Sequence, residues 1–419
     1  MTTMKDSGIE WIGVISTDFN AVRIKYVFSI IGGCGFKEEL QGFSNGKYPF
    51  YKASDLANST TYISAANNYV DEGTVIQEQY KIIPRYSILL PKIGEAMKKN
   101  RRCINVTPCI VDNNCQGLVL NTNDNLQYLY YTLSCVDMIW FDNGGTVPCV
   151  NNLKLLNAYI PLPPLPEQQR IADYLDKQCS IMDKLAENLQ QQIAKLKEYK
   201  QSVITEAVTK GLDPNVAMKD SGVEWIGQIP EEWNLVQIKN VTSVRNKKRS
   251  NENLPYIGLE NVESFSSKYV FTANAYDLSL SNIAFSGDVI FGKLRPYLAK
   301  VLLIRKDCCV SSEFAIFQCS NIYNKYLQYL LLSSCFIDAV NSATCGTKMP
   351  RANIDYINSL PIAFPPLPEQ QRIANYLDKK CEEIDKLIKI KQEKIDKLSE
   401  YKKSLIYECV TGKREVAHE

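Results

Sequence analysis

A duplicated segment constrains the fold of this 419-residue chain more than any other feature of its sequence. PPLPEQQRIADYLD at 163–176 returns as PPLPEQQRIANYLD at 365–378, where only Asp173 and Asn375 differ. The prolines hold the backbone extended and oppose helix formation, because each fixes its own φ and disfavours the α conformation before it. Pro166 can occupy the first helical position, and Glu167 then lies where a negative charge favours a helix N-terminus. Each copy predicts an extended turn that leads into a helix.

Other segments repeat in the same order. MKDSGIEWIG (4–13) returns as MKDSGVEWIG (218–227), LQYLYYTLS (126–134) resembles LQYLLLSS (327–334), and LKEYKQSVITEAV (196–208) matches LSEYKKSLIYECV (398–410). A period of roughly 200 residues is far longer than any solenoid repeat. We therefore expect a tandem duplication with an internal pseudo-twofold, in which the bodies between the shared segments have diverged.

The residues after each turn predict a long helix, because no Gly or Pro interrupts them before Gly211 in the first copy. Apolar residues recur every seven positions, which is typical of a coiled-coil seam. The seam residues are Leu175, Met182, Leu189, Leu196 and Val203, then Leu377, Ile384, Leu398 and Leu405, with Lys391 as an interruption. The alternate row is expected at Ile171, Leu185 and Tyr199, and at Ile373, Leu387 and Tyr401. Helices of about 65 Å exceed what one domain covers, so we expect them to pair antiparallel.

The bodies mix short β-like runs such as DVIFGKLRPYL with helical segments, which predicts an α+β fold. The expected organisation is a globular domain at 1–162, a helical spacer at 163–212, a second globular domain at 213–364 and a second spacer at 365–419.

Basic residues cluster in the bodies, although the net charge of the chain is only +2. Such clusters are usually solvated surface, but their presence in both bodies, among Asn, Gln and Tyr, favours nucleic-acid contact. The candidates are Lys98, Lys99, Arg101, Arg102, Lys247, Lys248, Arg249, Lys293, Arg295, Lys300, Lys348 and Arg351. Residues 167–210 hold as many positive as negative charges, so the helices are expected to contact protein instead.

The sequence offers little for catalysis. The single histidine is His418, and no GxxxxGK[ST] phosphate loop occurs. Cys103, Cys109 and Cys115 are spaced like strand-packing positions rather than metal ligands. Neither a secretory signal nor a membrane span is evident, which predicts a cytoplasmic protein with reduced thiols. A nuclease centre of spaced carboxylates stays open as an alternative.

The chain resembles the specificity subunits of type I restriction–modification systems over essentially its whole length. The segments that carry the resemblance are both PPLPEQQRIA turns, both MKDSG(I/V)EWIG segments, GGTVPCVNN, GTKMPRANI and GDVIFGKLRPYLAKV. One departure is Phe19, where Trp233 would align.

The resemblance implies that each body is a target-recognition domain for one half of a split DNA sequence. It implies that the helices form an antiparallel coiled coil and dock two adenine-N6 methyltransferase subunits, which restriction subunits then join. No cofactor is expected on this chain, whereas S-adenosylmethionine, ATP and magnesium are expected on the partners. The alternative is a methyltransferase-binding adaptor or scaffold that no longer reads sequence.

Overall fold

The computed structural model describes residues 3–248, 254–271, 281–344, 346 and 348–416. The chain forms two compact units. Unit 1 comprises Met1–Glu187 and Lys394–Glu419, and unit 2 comprises Asn188–Glu393. Each unit therefore contains one body together with parts of both long helices. The domain boundaries drawn from the sequence at 162, 212 and 364 stay a prediction.

The body of unit 1 is built from short elements, most of them strands. Its strands are β1 (Met4–Asp6), β2 (Val14–Ser16), β3 (Asn20–Arg23), β4 (Phe28–Gly32), β5 (Tyr48–Tyr51), β6 (Tyr62–Ile63), β7 (Tyr69–Val70), β8 (Ile88–Pro91), β9 (Cys103–Asn105), β10 (Ile110–Val111), β11 (Cys115–Leu120) and β12 (Tyr159–Leu162). Its helices are α1 (Ala53–Asn58), α2 (Glu72–Gln77), α3 (Gly94–Lys98), α4 (Leu126–Ser134) and α5 (Asn152–Asn157), and the first long helix, α6 (Leu165–Lys210), follows.

The body of unit 2 repeats this plan. Its strands are β13 (Met218–Asp220), β14 (Gln228–Pro230), β15 (Asn234–Gln237), β16 (Thr242–Val244), β17 (Tyr256–Ile257), β18 (Ser281–Ala284), β19 (Val289–Gly292), β20 (Val301–Leu303), β21 (Cys308–Ser311), β22 (Phe314–Cys319) and β23 (Pro361–Phe364). Its helices are α7 (Ile238–Val241), α8 (Asn324–Leu332), α9 (Ser334–Ser342) and α10 (Ile354–Ser359), and the second long helix, α11 (Leu367–Val410), follows.

The main sheets of the two bodies have equivalent strand orders. In unit 1 the order is β4-β11-β8-β9-β6, and in unit 2 it is β16-β22-β19-β20. The central strands β8 and β19 are buried along their whole length, as expected for strands covered on both faces. A smaller three-stranded sheet lies in each body, in the orders β10-β5-β7 and β17-β21-β18. The expected α+β class with two similar bodies is confirmed.

The long helices contain 46 and 44 residues, so the predicted length is confirmed. In unit 1 the N-terminal part of α6 shares a core with the C-terminal part of α11. In unit 2 the C-terminal part of α6 shares a core with the N-terminal part of α11. The two helices therefore run antiparallel, as expected for a coiled coil built within one chain.

Burial differs between the two rows of the predicted seam, which itself stays a prediction. Of the predicted row, Leu175, Met182, Leu189, Val203, Leu377, Ile384 and Leu405 are buried, whereas Leu196 and Leu398 are half-buried. In the alternate row Ile171 and Ile373 are buried, whereas Leu185, Tyr199, Leu387 and Tyr401 are each about half exposed. A different row is buried or half-buried beside the first, namely Cys179, Ala186, Ile193, Lys200 and Ala207 in α6, and Cys381, Ile388, Ile395, Lys402 and Cys409 in α11. This row mixes isoleucine with cysteine, alanine and lysine, so hydrophobicity alone did not identify it.

The predicted match between the two LQYL segments is also corrected. Tyr128 in α4 donates a hydrogen bond to the carbonyl of Pro161, and Tyr326 in α8 donates one to the carbonyl of Ala363. Tyr131 and Tyr329 make the next equivalent pair, because their hydroxyls donate to Asp176 and Asp378 respectively. The alignment of the two LQYL sequences differs by three residues from this structural equivalence. A shift of three residues stays on the same helix face, which explains why both registers look amphipathic.

A glycine with positive φ follows the end of each long helix within two residues and packs against an aromatic side chain. Gly211 has φ +77° and its Cα faces the ring of Trp233, whereas Gly412 has φ +70° and faces the ring of Phe19. Both aromatic side chains are buried. Phe19 and Trp233 thus perform the same packing role, although only Trp233 has an indole N–H, which it donates to Glu369 at 3.1 Å.

The three regularly spaced cysteines of unit 1 are packing residues, as the sequence predicted. Cys103, Cys109 and Cys115 are fully buried in one hydrophobic cluster with Tyr51 and Leu89. Burial raises the pKa of the Cys103 thiol to about 11, so that thiol stays protonated at neutral pH.

Candidate nucleic-acid interface

Each body presents a tip formed by two segments of chain. The unit 2 tip comprises residues 292–299 and 348–351, which are joined by a β-bridge between Leu294 and Arg351. The unit 1 tip comprises residues 91–99 and 147–150, which are joined by a β-bridge between Ile93 and Cys149. Both tips follow the central strand of their sheet, and they contain many of the cations predicted to contact DNA.

The unit 2 cations occupy different environments. Lys300 donates to the carbonyls of Leu259 and Val262 at 2.6 and 2.9 Å, so its ammonium group supports the fold. Arg351 pairs with Glu313 at 2.7 Å. Lys293 is half-buried, and burial lowers the pKa of its ammonium group while Glu313 opposes that shift. Arg295 and Lys348 are both exposed.

In unit 1 the predicted cations also divide into exposed and buried groups. Lys99 and Arg101 are exposed, and Lys98 is exposed but pairs with Glu95 one helical turn away at 2.6 Å. Arg102 is only 6% exposed, and it donates to the carbonyl of Val136 at 3.0 Å. Burial lowers the pKa of Arg102 to about 10. This placement argues against a phosphate contact by Arg102, whose guanidinium fastens two parts of the body together.

A third basic segment follows β16. Lys247 and Lys248 are exposed, and the Lys247 ammonium lies 5.4 Å from the centre of the Phe285 ring. Arg249 lies outside the described residues. Arg245, which the sequence did not single out, lies over the same ring and pairs with Asp288 at 2.9 Å, so it anchors this segment.

Unit 1 also contains a groove of about 1100 Å³ beside its tip. Lys98, Lys99 and Arg101 line the groove from the body, and Lys184, Lys402 and Lys403 line it from the long helices. Carboxylates, including Asp176 and Glu187, line it as well. The sequence missed the helical lysines because charge is balanced along each helix, whereas the fold brings several of them to one wall.

Exposed apolar residues occur on both long helices in each unit, close in sequence to an ion pair that joins the helices there. The unit 1 helix patch consists of Ile181, Leu185 and Tyr401, and the unit 2 helix patch consists of Leu387, Ile390 and Tyr199. Each of these side chains is about half exposed. Leu185 corresponds to Leu387, and Tyr199 corresponds to Tyr401, in the duplicated sequence. Each patch thus combines a leucine from one helix with a tyrosine from the other.

Within the described ranges, no group of three or more His, Cys, Asp or Glu side chains is arranged to hold a metal ion. His418 lies outside those ranges. No helix among the described residues is long and apolar enough to span a membrane.

Comparisons with known proteins agree with this architecture. The family model of the type I restriction modification DNA specificity domain matches residues 16–195 and 230–400. The type I restriction enzyme MjaVIII specificity subunit of Methanocaldococcus jannaschii is 27% identical over 314 residues, which are 69% of this chain and 70% of that protein. The MjaIX specificity subunit of the same organism is 24% identical over 408 residues, 89% of either chain. A chain from a solved structure on assembly and conformational transition of the type I R-M system aligns over 96% of this chain and 99% of its own length, with a TM-score of 0.68 and 15% identity.

The two matches to a DNA specificity domain, together with two similar bodies, place the chain in the class of DNA sequence-recognition proteins with a duplicated recognition domain. The two matches to the family model cover most of the chain, and the strand orders of the units agree with that duplication. The chain belongs to the specificity subunits of type I restriction–modification systems, and the resemblance stated from the sequence is confirmed.

Proposed function

We propose that this chain reads a bipartite DNA target, with one body on each half-site, and that it carries out recognition without chemistry. The observation that carries this proposal is the duplicated tip, which has the same backbone plan in both units but different exposed side chains. A shared plan suits two related tasks on DNA, and different side chains suit two different half-sites. Base edges are read by side chains, whereas phosphate contacts only fix position.

The exposed cations are the proposed phosphate contacts. Six are proposed for this role: Lys98, Lys99 and Arg101 in unit 1, and Lys247, Lys248 and Lys348 in unit 2. Arg102 and Lys300 are left out because their side chains are engaged within the fold, and Glu313 offsets much of the charge of Lys293 and Arg351. With about six phosphates neutralised, the logarithm of the binding constant falls with the logarithm of salt concentration at a slope of about −5.

The two helix patches are the proposed docking sites for two adenine-N6 methyltransferase subunits. Half-exposed Leu, Ile and Tyr side chains on a helix surface are typical of an interface core. The leucine and the tyrosine are equivalent in the two patches, which fits two copies of the same partner. Restriction subunits join through the methyltransferase subunits, and S-adenosylmethionine, ATP and magnesium bind to these partners. The methyltransferase flips its target adenine out of the duplex, because the reacting atom is inaccessible within the stack.

The experiment that tests the proposal is co-expression of this chain with its methyltransferase subunit in a host without other adenine methylation. Single-molecule sequencing then maps N6-methyladenine. A two-part motif that is methylated on both strands, and that disappears when this chain is omitted, is the expected result. A stable complex that leaves the DNA unmethylated would favour the adaptor, and the absence of any complex would refute the proposal.

Docking can be tested one patch at a time. Leu185→Asp with Tyr401→Asp should leave a complex with a single methyltransferase subunit in native mass spectrometry, and Leu387→Asp with Tyr199→Asp should do the same. Leu153→Asp is the matched control, because Leu153 is 75% exposed but lies in α5 rather than on a long helix. Two methyltransferase subunits retained by both double variants would exclude the helix patches as docking sites.

A further inference from the structure

Arg295 has a backbone conformation that arginine rarely adopts. Its φ and ψ are +50° and +62°, which lie in the left-handed region, and Ala299 at the other end of the same turn has +44° and +52°. A Cβ atom in this region crowds the following carbonyl oxygen, so any residue except glycine is strained there. Strained residues persist where the surrounding structure over-determines them, and they cluster at functional sites.

The equivalent position in unit 1 shows what the fold itself requires. The Arg295 N–H donates to the carbonyl of Pro350 at 2.8 Å, and the Gly94 N–H donates to the carbonyl of Pro148 at 2.8 Å. Gly94 also has a positive φ, of +72°. The left-handed conformation thus belongs to the tip, and unit 1 adopts it without strain by using glycine. Unit 2 instead places a large cationic side chain in a backbone conformation that disfavours one.

The charge of Arg295 is not used by the fold. Within the part of the chain that the structure describes, its guanidinium makes no hydrogen bond or ion pair, whereas its neighbours are engaged. Arg351 pairs with Glu313 at 2.7 Å, and Lys300 donates to two carbonyls. Arg295 is therefore the exposed and unneutralised cation on segment 292–299 of the unit 2 tip.

Apolar side chains accompany Arg295 in the unit 2 tip. Tyr297 is 45% exposed and Met349 is 58% exposed, and the backbone hydrogen bond from Arg295 to Pro350 holds their two segments together. Exposed apolar neighbours would add nothing to a phosphate contact, but they can contact bases. The major groove presents guanine acceptors beside thymine methyl groups, and arginine pairs with guanine O6 and N7 through two parallel hydrogen bonds.

We propose that Arg295 is a specificity-determining residue of unit 2 that reads a guanine edge, with Tyr297 and Met349 against the adjacent bases. This inference rests on the proposed function and assigns a different role to Arg295 than a phosphate contact. Arg295 is exposed, and within the described residues its guanidinium has no partner, so it is free to make a two-point contact.

The test compares methylated motifs made by the wild-type chain and by Arg295→Gly, Arg295→Lys and Lys248→Ala, each co-expressed with the methyltransferase subunit. Arg295→Gly should relax one G·C position in one half-site, reduce methylation of the original motif at least tenfold, and leave the other half-site unchanged. Arg295→Lys should relax the same position, because lysine keeps the charge but cannot make the two-point contact. Lys248→Ala should reduce methylation at all sites alike. The thermal midpoint of Arg295→Gly should equal or exceed that of the wild type, because glycine removes the strain.

Several outcomes would overturn the inference. These are an unchanged motif with Arg295→Gly, a uniform loss that resembles the Lys248→Ala result, and a wild-type motif without a G·C pair in either half-site. A wild-type chain that directs no methylation at all would refute the proposed function, and the inference with it. A wild-type motif that is insensitive to Arg295 refutes the inference alone.

Discussion

The duplicated ion pairs of the coiled coil offer a direct test of how burial sets the strength of a charge interaction. Lys200 pairs with Asp385 at 2.8 Å in unit 2, and the side chains are 8% and 21% exposed. The equivalent residues in unit 1, Lys402 and Asp183, pair at 2.6 Å with exposures of 30% and 64%. The two pairs have the same chemistry and sit at the same seam positions, but differ in their access to water.

Removing each aspartate should therefore have unequal effects. Asp385→Ala leaves the buried Lys200 ammonium without a partner and also releases Lys268, which contacts the second carboxylate oxygen at 2.7 Å. We expect a loss of about 2–3 kcal/mol, since breaking a buried pair is costly. Asp183→Ala should cost at most about 1 kcal/mol, because water screens an exposed pair. For a unit of this size the thermal midpoint should fall by roughly 5–10 °C in the first case and by under about 4 °C in the second.

Differential scanning calorimetry of the two variants and the wild type makes this measurement. The double variant Lys200→Met with Asp385→Leu removes both charges at once, and it should recover to within about 1 kcal/mol of the wild type. Equal midpoint shifts for Asp385→Ala and Asp183→Ala would refute the argument from burial. A double variant as unstable as Asp385→Ala would show that the unpaired lysine is not the cause.

Three further predictions follow from particular contacts. Burial alone would raise the pKa of Asp385, but hydrogen bonds from Lys200 and Lys268 outweigh it and hold this pKa below the usual value for an aspartate. The stability advantage over Asp385→Asn should therefore be complete at neutral pH, and in urea titrations it should shrink as the pH falls below that usual value and through the pKa of the folded state. Trp233→Phe should lower the free energy of unfolding by about 2–3 kcal/mol, since it removes a hydrogen bond to the Glu369 carboxylate and part of a buried ring. An unchanged midpoint of urea unfolding would contradict this. Gly412→Ala should lower the free energy of unfolding by about 3 kcal/mol and Gly8→Ala by only about 1–2 kcal/mol. Both glycines have positive φ, but only at Gly412 would a new Cβ meet a side-chain carbon, at 2.7 Å. Similar losses for the two variants in calorimetry would contradict the role of packing.

Much of the fold was predictable because the sequence contains two copies of the same segments in the same order. The repeated turns and the uninterrupted heptads predicted two long helices, and the observed lengths agree. The row through Leu175 and Leu189 was found because large aliphatic residues at a constant spacing give a strong signal. Family membership was accessible for the same reason, since several distinct motifs occur in a fixed order.

The candidate interface was less predictable from the sequence. Charge identifies cations but not their partners, and the partners come from distant parts of the chain. Arg102 is buried because the segment around Val136 covers it, and Lys300 is engaged because two carbonyls near residue 260 surround its ammonium. Arg295 looked equivalent to these residues in the sequence, and only its exposure and backbone conformation distinguish it.

The sequence by itself determined the duplication, the helices, one row of the seam and the family, because these depend on local propensity and on regular spacing. The tertiary structure decided which second row faces the partner helix, since Leu185 and Tyr199 follow the same period as the buried positions but point to solvent. It also decided which residues of α4 and α8 are equivalent, because shifting the sequence alignment by one helical turn leaves the same face of the helix apolar. Periodicity defines a face of a helix, but only packing against a particular neighbour determines which face is buried and which remains for a partner.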